Sequence, residues 1–274
     1  MKFNNILGTL HRFLGKSRLF HGLFLKLRNQ VSAVIAHGLN DGIDMQTNGQ
    51  AWLVEQIAPD ARFFIDVGAN KGAWTAAFTK RARADVCGLM FEPSAEAAQH
   101  LVSHIVGQVG LAQVELVKAA VSDRRGNLIF YEEPDCGETS SLVKAHSFER
   151  AVARSVEVTT LDDEIEQRLI THVDMLKIDT EGYDLHVIKG ARRSIKLGLI
   201  DVVQFEYNSP WALANSTLCE ALDIFRENQY SVFLLLARGL VQFDYDIYGE
   251  FYHYSNFVAL SPRAIHRFIG VVPP

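Results

Sequence analysis

Apolar residues recur in steps of three and four along the first 36 positions: Phe3, Ile6, Leu7, Leu10, Phe13, Leu14, Phe20, Leu23, Phe24, Leu27, Val31, Val34 and Ile35. That spacing predicts an amphipathic helix. The stretch "HGLNDGIDMQTNGQ" (His37–Gln50) then breaks the pattern, and its Gly, Asn and Asp content reads as a linker or loop. From Ala51 a different rhythm begins. "AWLVEQIA", "AWTAAFTKRA", "SAEAAQHLVSHIVGQ", "YDLHVIKGARRSI" and "STLCEALDIFRENQ" have helical spacing, and Ser94 is well placed to cap the third of them. Between them lie strand-like runs: "RFFIDVG", "DVCGLMFEP", "VELVKAAVSD", "NLIFYEE", "SVEVTTL", "VDMLKIDTEG", "LIDVVQFEYN", "YSVFLLL" and "SNFVAL". Core strands alternating with helices predict an α/β domain with a mostly parallel sheet covered on both faces. The last two runs are close enough in sequence to pair antiparallel. The chain thus divides into an N-terminal amphipathic helical extension and linker, residues 1–50, and one α/β domain, residues 51–274.

Charge sharpens that division. The net charge is −5, yet residues 1–40 hold Lys2, Arg12, Lys16, Arg18, Lys26 and Arg28 and no acid. The acidic remainder argues against a body built to coat nucleic acid. The basic extension has two readings. One is a helical lid packed on the main domain, favoured because most amphipathic helices are packed. The other is peripheral contact of residues 1–38 with an anionic membrane surface or a partner. No apolar run approaches the roughly 18 residues of a membrane span. Basic residues interrupt the N-terminus too often for a secretory signal, so the chain reads as cytoplasmic. Cys87, Cys136 and Cys219 are widely spaced and odd in number, which suits thiols in a reducing compartment and offers no zinc pattern.

The chemistry centres on "FFIDVGANKGAWTAAF", Phe63–Phe78, read as a strand, a glycine turn and a helix. Ligands of open α/β sheets sit outside the carboxyl ends of the strands. Gly68 allows a tight turn and close approach, and Gly72 lets the next helix start against the strand. Asp66 is read at the strand end, facing the ligand region. Glu92 ends the following strand, where an acid commonly holds ribose hydroxyls. The GxxxG spacing is not the GxGxxG of a dinucleotide site. Asp66 with Asn70 and Lys71 in the loop suits a cationic ligand bearing a ribose better than a diphosphate.

Six ordered blocks then resemble one family. "FFIDVGANKGAWTAAF", "GLMFEPSAEAAQHL", "VKAAVSDRRGNLIFY", "VEVTTLDDEI", "DMLKIDTEGYDLHVIKGA" and "VVQFEYN" are similar to the FkbM family of S-adenosylmethionine-dependent methyltransferases, over roughly Arg62 to Asn208 plus the terminal "SNFVAL". The resemblance implies a class I (Rossmann-like) methyltransferase fold of seven strands with the last antiparallel. It implies S-adenosyl-L-methionine as cofactor, with contacts at Asp66, Gly68, Ala69, Asn70 and Gly72, ribose recognition by Glu92, and Ala120 and Val121 beside the adenine. It also implies O-methylation of a small-molecule or glycan hydroxyl. "SSL" (Ser140–Leu142) resembles a short family block in the substrate-side loop.

Methyl transfer to a hydroxyl needs an oriented acceptor and help in losing its proton. Asp179 and Glu181 follow the fourth core strand and Glu206 ends the fifth, so adjacent strand ends would gather these acids as catalytic residues. Asp179 is best placed toward the transferred methyl. Glu181 could instead cap a helix, and Glu206 could instead bond backbone amides. No metal is expected, although three carboxylates could hold a divalent ion. The late aromatics Phe243–Phe257 read as strand packing, with Tyr248, Tyr252 and His253 on a sugar-covering loop as the alternative. "DRRG" (Asp123–Gly126) reads as a hairpin turn. Two other functions stay open: a nucleic-acid methyltransferase, and a non-catalytic cofactor-binding protein on the same fold.

Overall fold

The computed structural model describes residues 8, 11–39, 42–106, 113–134, 137, 139–144 and 151–268. Phe3, Ile6, Leu7, Leu10 and Cys136, singled out above, lie outside them. The strands are β1 (Phe63–Val67), β2 (Cys87–Phe91), β3 (Val114–Val117), β4 (Ala120–Val121), β5 (Gly126–Glu132), β6 (Val152–Thr159), β7 (Val173–Ile178), β8 (Ile200–Tyr207), β9 (Ser231–Leu236), β10 (Gly239–Gln242) and β11 (Ser255–Leu260). Eight of them form one sheet in the order β10-β9-β11-β8-β7-β1-β2-β3. From β3 to β8 the neighbours run parallel, while β11 lies antiparallel between β8 and β9. This is the class I methyltransferase arrangement, extended at one edge by the hairpin strand β10.

Each β1 residue takes the face its alternation dictates. Phe64 joins Trp74, Phe78, Met90 and Met175 on one side, and Ile65 and Val67 join Leu176, Ile178 and Phe205 on the other. The central strands are buried on both faces, which is why β7 and β8 read as continuous apolar runs.

Register sets the line along which a site can form. Val67 stands opposite Phe91 on one side and Ile178 on the other, and Ile178 stands opposite Phe205. The next residues along these four strands are Gly68, Glu92, Asp179 and Glu206, so the sheet sets them side by side across its carboxyl edge.

Some elements depart from the sequence reading. "VELVKAAVSD" is two strands, because β3 pairs with β2 whereas β4 leaves the large sheet and pairs with β6. The small sheet has the order β4-β6-β5, so Asp123–Gly126 connects strands that are not neighbours and is not a hairpin turn. The helix expected over "YDLHVIKGARRSI" breaks at Ala191 into Asp184–Gly190 and Arg192–Lys196.

The long helix Arg18–Gly38 forms as expected. It is not a packed lid, for Ala36 is its only buried residue and Leu19, Leu23, Leu27, Val31 and Val34 are all exposed. The expected linker, by contrast, is partly built into the domain: Leu39, Asn48, Gly49 and Gln50 are buried. No helix among the described residues is long and apolar enough to cross a membrane.

Candidate active site

A cavity of about 480 Å3 opens over the carboxyl edge of β1, β2, β7 and β8. Its floor is the glycine turn. Gly68 has φ +81°, and a Cβ there would sit 1.9 Å from the Asp179 carbonyl oxygen. Only glycine lets the β1 and β7 loops approach this closely. Gly68 and Ala69 both donate backbone N–H groups to the Phe91 carbonyl, at 3.0 and 3.1 Å. Gly72, also left-handed, packs its α-carbon against Leu101 and Ile105 and starts the helix Ala73–Thr79.

Glu92 locks that turn from the next strand. One carboxylate oxygen accepts the Asn70 N–H and the other the Ser94 N–H, each at 2.8 Å. The group is buried, and burial pushes its pKa up to about 7 against the pull of those two N–H donors. Ser94 also caps the helix Ala95–Leu101, as expected, and its hydroxyl donates to Glu132 at 2.5 Å.

Opposite lies a crowded acid group. Side-chain oxygens of Asp179, Glu181 and Glu206 lie within 4.8 Å of one another, close enough to share a cation. Glu206 is buried and titrates well above the ordinary carboxyl range, first from burial and then from Asp179, Glu181 and Asp184. It accepts the Asn208 side-chain N–H at 2.6 Å rather than the backbone amides considered above. Asp184, fully buried, accepts the Glu206 N–H at 3.1 Å and the Thr180 hydroxyl at 2.8 Å. Burial, reinforced by Asp179, raises its pKa to about 7. Ser141 of the "SSL" block donates to the carbonyls of Thr180 and Glu181, at 3.1 and 2.9 Å, and so braces Glu181 at its φ of +53°. Glu181 caps no helix: Asp184–Gly190 begins three residues later, and its N-cap is Tyr183.

Of the residues expected to meet a cofactor, Gly68, Ala69, Asn70, Glu92, Ala120 and Val121 line the cavity, as do Asp179, Glu181 and Glu206. Two do not. Gly72 lies behind the turn. Asp66 is fully buried beneath it, accepting the Thr75 hydroxyl at 2.7 Å and pairing with Lys177 Nζ at 3.3 Å. It turns toward the helix Ala73–Thr79, not the ligand region, because it shares a β1 face with Phe64.

Several lining residues had no readable signal. Lys177 is buried between Asp66 and Asp179 and 5.8 Å from the Trp74 ring centre. Burial opposes its charge, but the two acids outweigh burial and raise its pKa. Gln50, Asn208 and Tyr254 also reach the cavity. The Tyr254 hydroxyl is held neutral by burial and by the nearby Glu206 and Asp179. Tyr248, Tyr252 and His253 do not line the cavity; Tyr252 stacks on Tyr207 with ring centres 5.6 Å apart. A second cation-capable group, His172, Asp174 and Asp201, sits at the opposite end of the sheet and is closed by Arg263, 2.7 Å from Asp201.

These residues suit a cationic, ribose-bearing ligand. S-adenosylmethionine brings an ammonium, a sulfonium and a ribose, and the cavity offers Glu92 on one side and the Asp179 group on the other.

No curated protein matches the chain significantly. Among solved structures, a methyltransferase FkbM from Methylobacillus flagellatus KT is 16% identical over 73% of this chain, with a TM-score of 0.44. The chain spans only 44% of that protein's length. An O-methyltransferase from Bacillus cereus, solved in complex with SAH, is 13% identical over 86% of this chain and 90% of its own, with a TM-score of 0.42. The O-methyltransferase TomG from Streptomyces achromogenes, involved in tomaymycin synthesis and solved with SAM, is 11% identical over 77% of this chain and 79% of its own, at 0.40. The methyltransferase FkbM domain model matches residues 66–232. Because that match covers more than half of the chain, from the glycine turn through β8 to the start of β9, the chain belongs to the FkbM family of S-adenosylmethionine-dependent methyltransferases.

Proposed function

We propose that the chain methylates a hydroxyl oxygen of a sugar, glycolipid or related small molecule, with Glu206 taking the hydroxyl proton. The observation that carries this reading is the crowding of Asp179, Glu181 and Glu206 around one point of the cavity. Crowding and burial raise the proton affinity of Glu206, which is what a base for a weakly acidic hydroxyl requires. Bound S-adenosylmethionine would supply an electrophilic methyl group. The chain's own residues do the rest. Glu92, Asn70 and the Gly68–Ala69 turn hold the ribose side, and Ala120 and Val121 form an apolar wall. Asp179, paired with Lys177, orients the cationic end. Asn208 steadies Glu206 through its 2.6 Å hydrogen bond, and Tyr254 and Trp74 give the acceptor side flat faces.

Calorimetry with S-adenosylmethionine and, in parallel, NAD tests the first half. Binding of the former alone is expected, and absence of binding ends the reading. A panel of sugar and glycolipid acceptors with isotope-labelled methyl donor, read by mass spectrometry, tests the second. Label is expected on a hydroxyl oxygen; label on nitrogen, carbon or a nucleic acid would overturn it.

A further inference from the structure

We infer that the helix Arg18–Gly38 lies on an anionic phospholipid surface and holds the cavity mouth against it. Leu19, Leu23, Leu27, Val31, Val34 and Ile35 are all exposed. At 3.6 residues per turn they share one arc about 160° wide. Gly22, Ser32 and Ala36, the least exposed positions of the helix, fall on the other side. Lys26 and Arg28 stand at the two borders of the apolar arc, where their charged ends reach lipid headgroups while their stems lie along the acyl boundary.

Charge selects the occupant. Residues 1–40 contain six Lys and Arg and no Asp or Glu. A second copy of the helix laid on this face would bring Lys26 and Arg28 against their own kind with no acid in the segment to meet them. A surface rich in phosphate monoanions meets both the apolar arc and its basic borders. The helix is too polar to cross a bilayer, so it lies in the interface plane.

The position of the helix gives this docking a function. Leu39, directly after the helix, is buried in one packed cluster with Val67, Phe91 and Val121, all of which line the cavity. Ile43, 78% exposed, and Met45 then form part of the cavity wall. A membrane held by the helix therefore lies beside the opening, and the acceptor hydroxyl belongs to the headgroup of a lipid in that membrane. The acceptor part rests on the methyl-transfer reading; the docking does not.

Flotation of the full chain with phosphatidylcholine vesicles, with and without phosphatidylglycerol, tests it. Binding is expected only with phosphatidylglycerol, and it weakens with added salt. Leu23→Asp with Leu27→Asp, and separately Lys26→Glu with Arg28→Glu, are each expected to lower partitioning at least about tenfold. Calorimetric affinity for S-adenosylmethionine should be unchanged in both variants. Equal binding to both vesicle types, binding to neither, or wild-type partitioning of the double aspartate variant would overturn the proposal. So would a dimer in sedimentation velocity that the aspartate pair dissociates, since a second copy would then cover the face. Failure of the wild type to bind S-adenosylmethionine would overturn the methyl-transfer reading and leave the vesicle result standing.

Discussion

The fully buried carboxylate of Asp66 is paired with the buried ammonium of Lys177 at 3.3 Å, and Lys177 reaches 3.2 Å to Asp179 on the cavity side. One cation thus ties the end of β1 to the end of β7. Lys177→Met should leave Asp66 buried without a counter-charge and cost about 3–5 kcal/mol in urea unfolding. Asp66→Asn should cost less, because Lys177 keeps Asp179. Equal losses would contradict the shared-cation arrangement.

Glycine is required at 68 for close approach as well as for its left-handed backbone. Gly198 also has positive φ, but nothing lies within 4 Å of a Cβ built there. Gly198→Ala should therefore cost only about 1 kcal/mol of backbone strain. Gly68→Ala drives a methyl group into the Asp179 carbonyl and should abolish calorimetric binding of S-adenosylmethionine. Unaltered binding would show that the turn does not need this approach.

Glu92 links cofactor affinity to pH. Its pKa in the folded, ligand-free protein is about 7 against an ordinary 4.5. A raised carboxyl contributes stability that is complete below its unfolded value and is lost as pH rises through the folded one. Unfolding free energy of the wild type relative to Glu92→Gln should thus fall by on the order of 3 kcal/mol between pH 5 and pH 8. A ribose needs the ionised carboxylate as acceptor, so S-adenosylmethionine affinity should rise over the same range in the wild type. It should be flat and roughly tenfold or more weaker in Glu92→Gln.

The acid group should set the pH profile of methyl transfer. Glu206→Gln is expected to lower kcat roughly a hundredfold to ten-thousandfold with little change in cofactor affinity. In the wild type, rate should rise with pH as the group deprotonates. Asp184 lines no part of the cavity but faces Glu206 from behind. Asp184→Asn removes a neighbouring negative charge, so the rising limb should move to lower pH while the rate at high pH is kept. A fall in rate at every pH with no shift would indicate a merely structural role.

Much of the fold was readable because it depends on local pattern. The alternation of helical and strand-like runs from Ala51 follows from which positions must be apolar to cover a sheet on both faces. The Gly68 turn, Glu92, Asp179 and Glu206 were legible because each directly follows or ends an apolar run, and strand ends of a parallel sheet share an edge. The split between β3 and β4 was hidden, since both halves are equally apolar and only their partners differ. Lys177 was hidden for a related reason: a lysine inside an apolar strand gives no sign of the acids that neutralise it.

By itself, the sequence determined the parallel core, the glycine turn, the line of acids at the strand ends and the basic, amphipathic character of the first forty residues. These are properties of short stretches, set by side-chain periodicity and backbone freedom. Tertiary structure decided which way each of them faces. It turned Asp66 inward to Lys177, set Asp184 behind Glu206, brought Gln50, Asn208 and Tyr254 to the cavity, and left the apolar side of the N-terminal helix uncovered. Facing depends on contacts between residues far apart in the chain, and such contacts exist only once the sheet has closed its register.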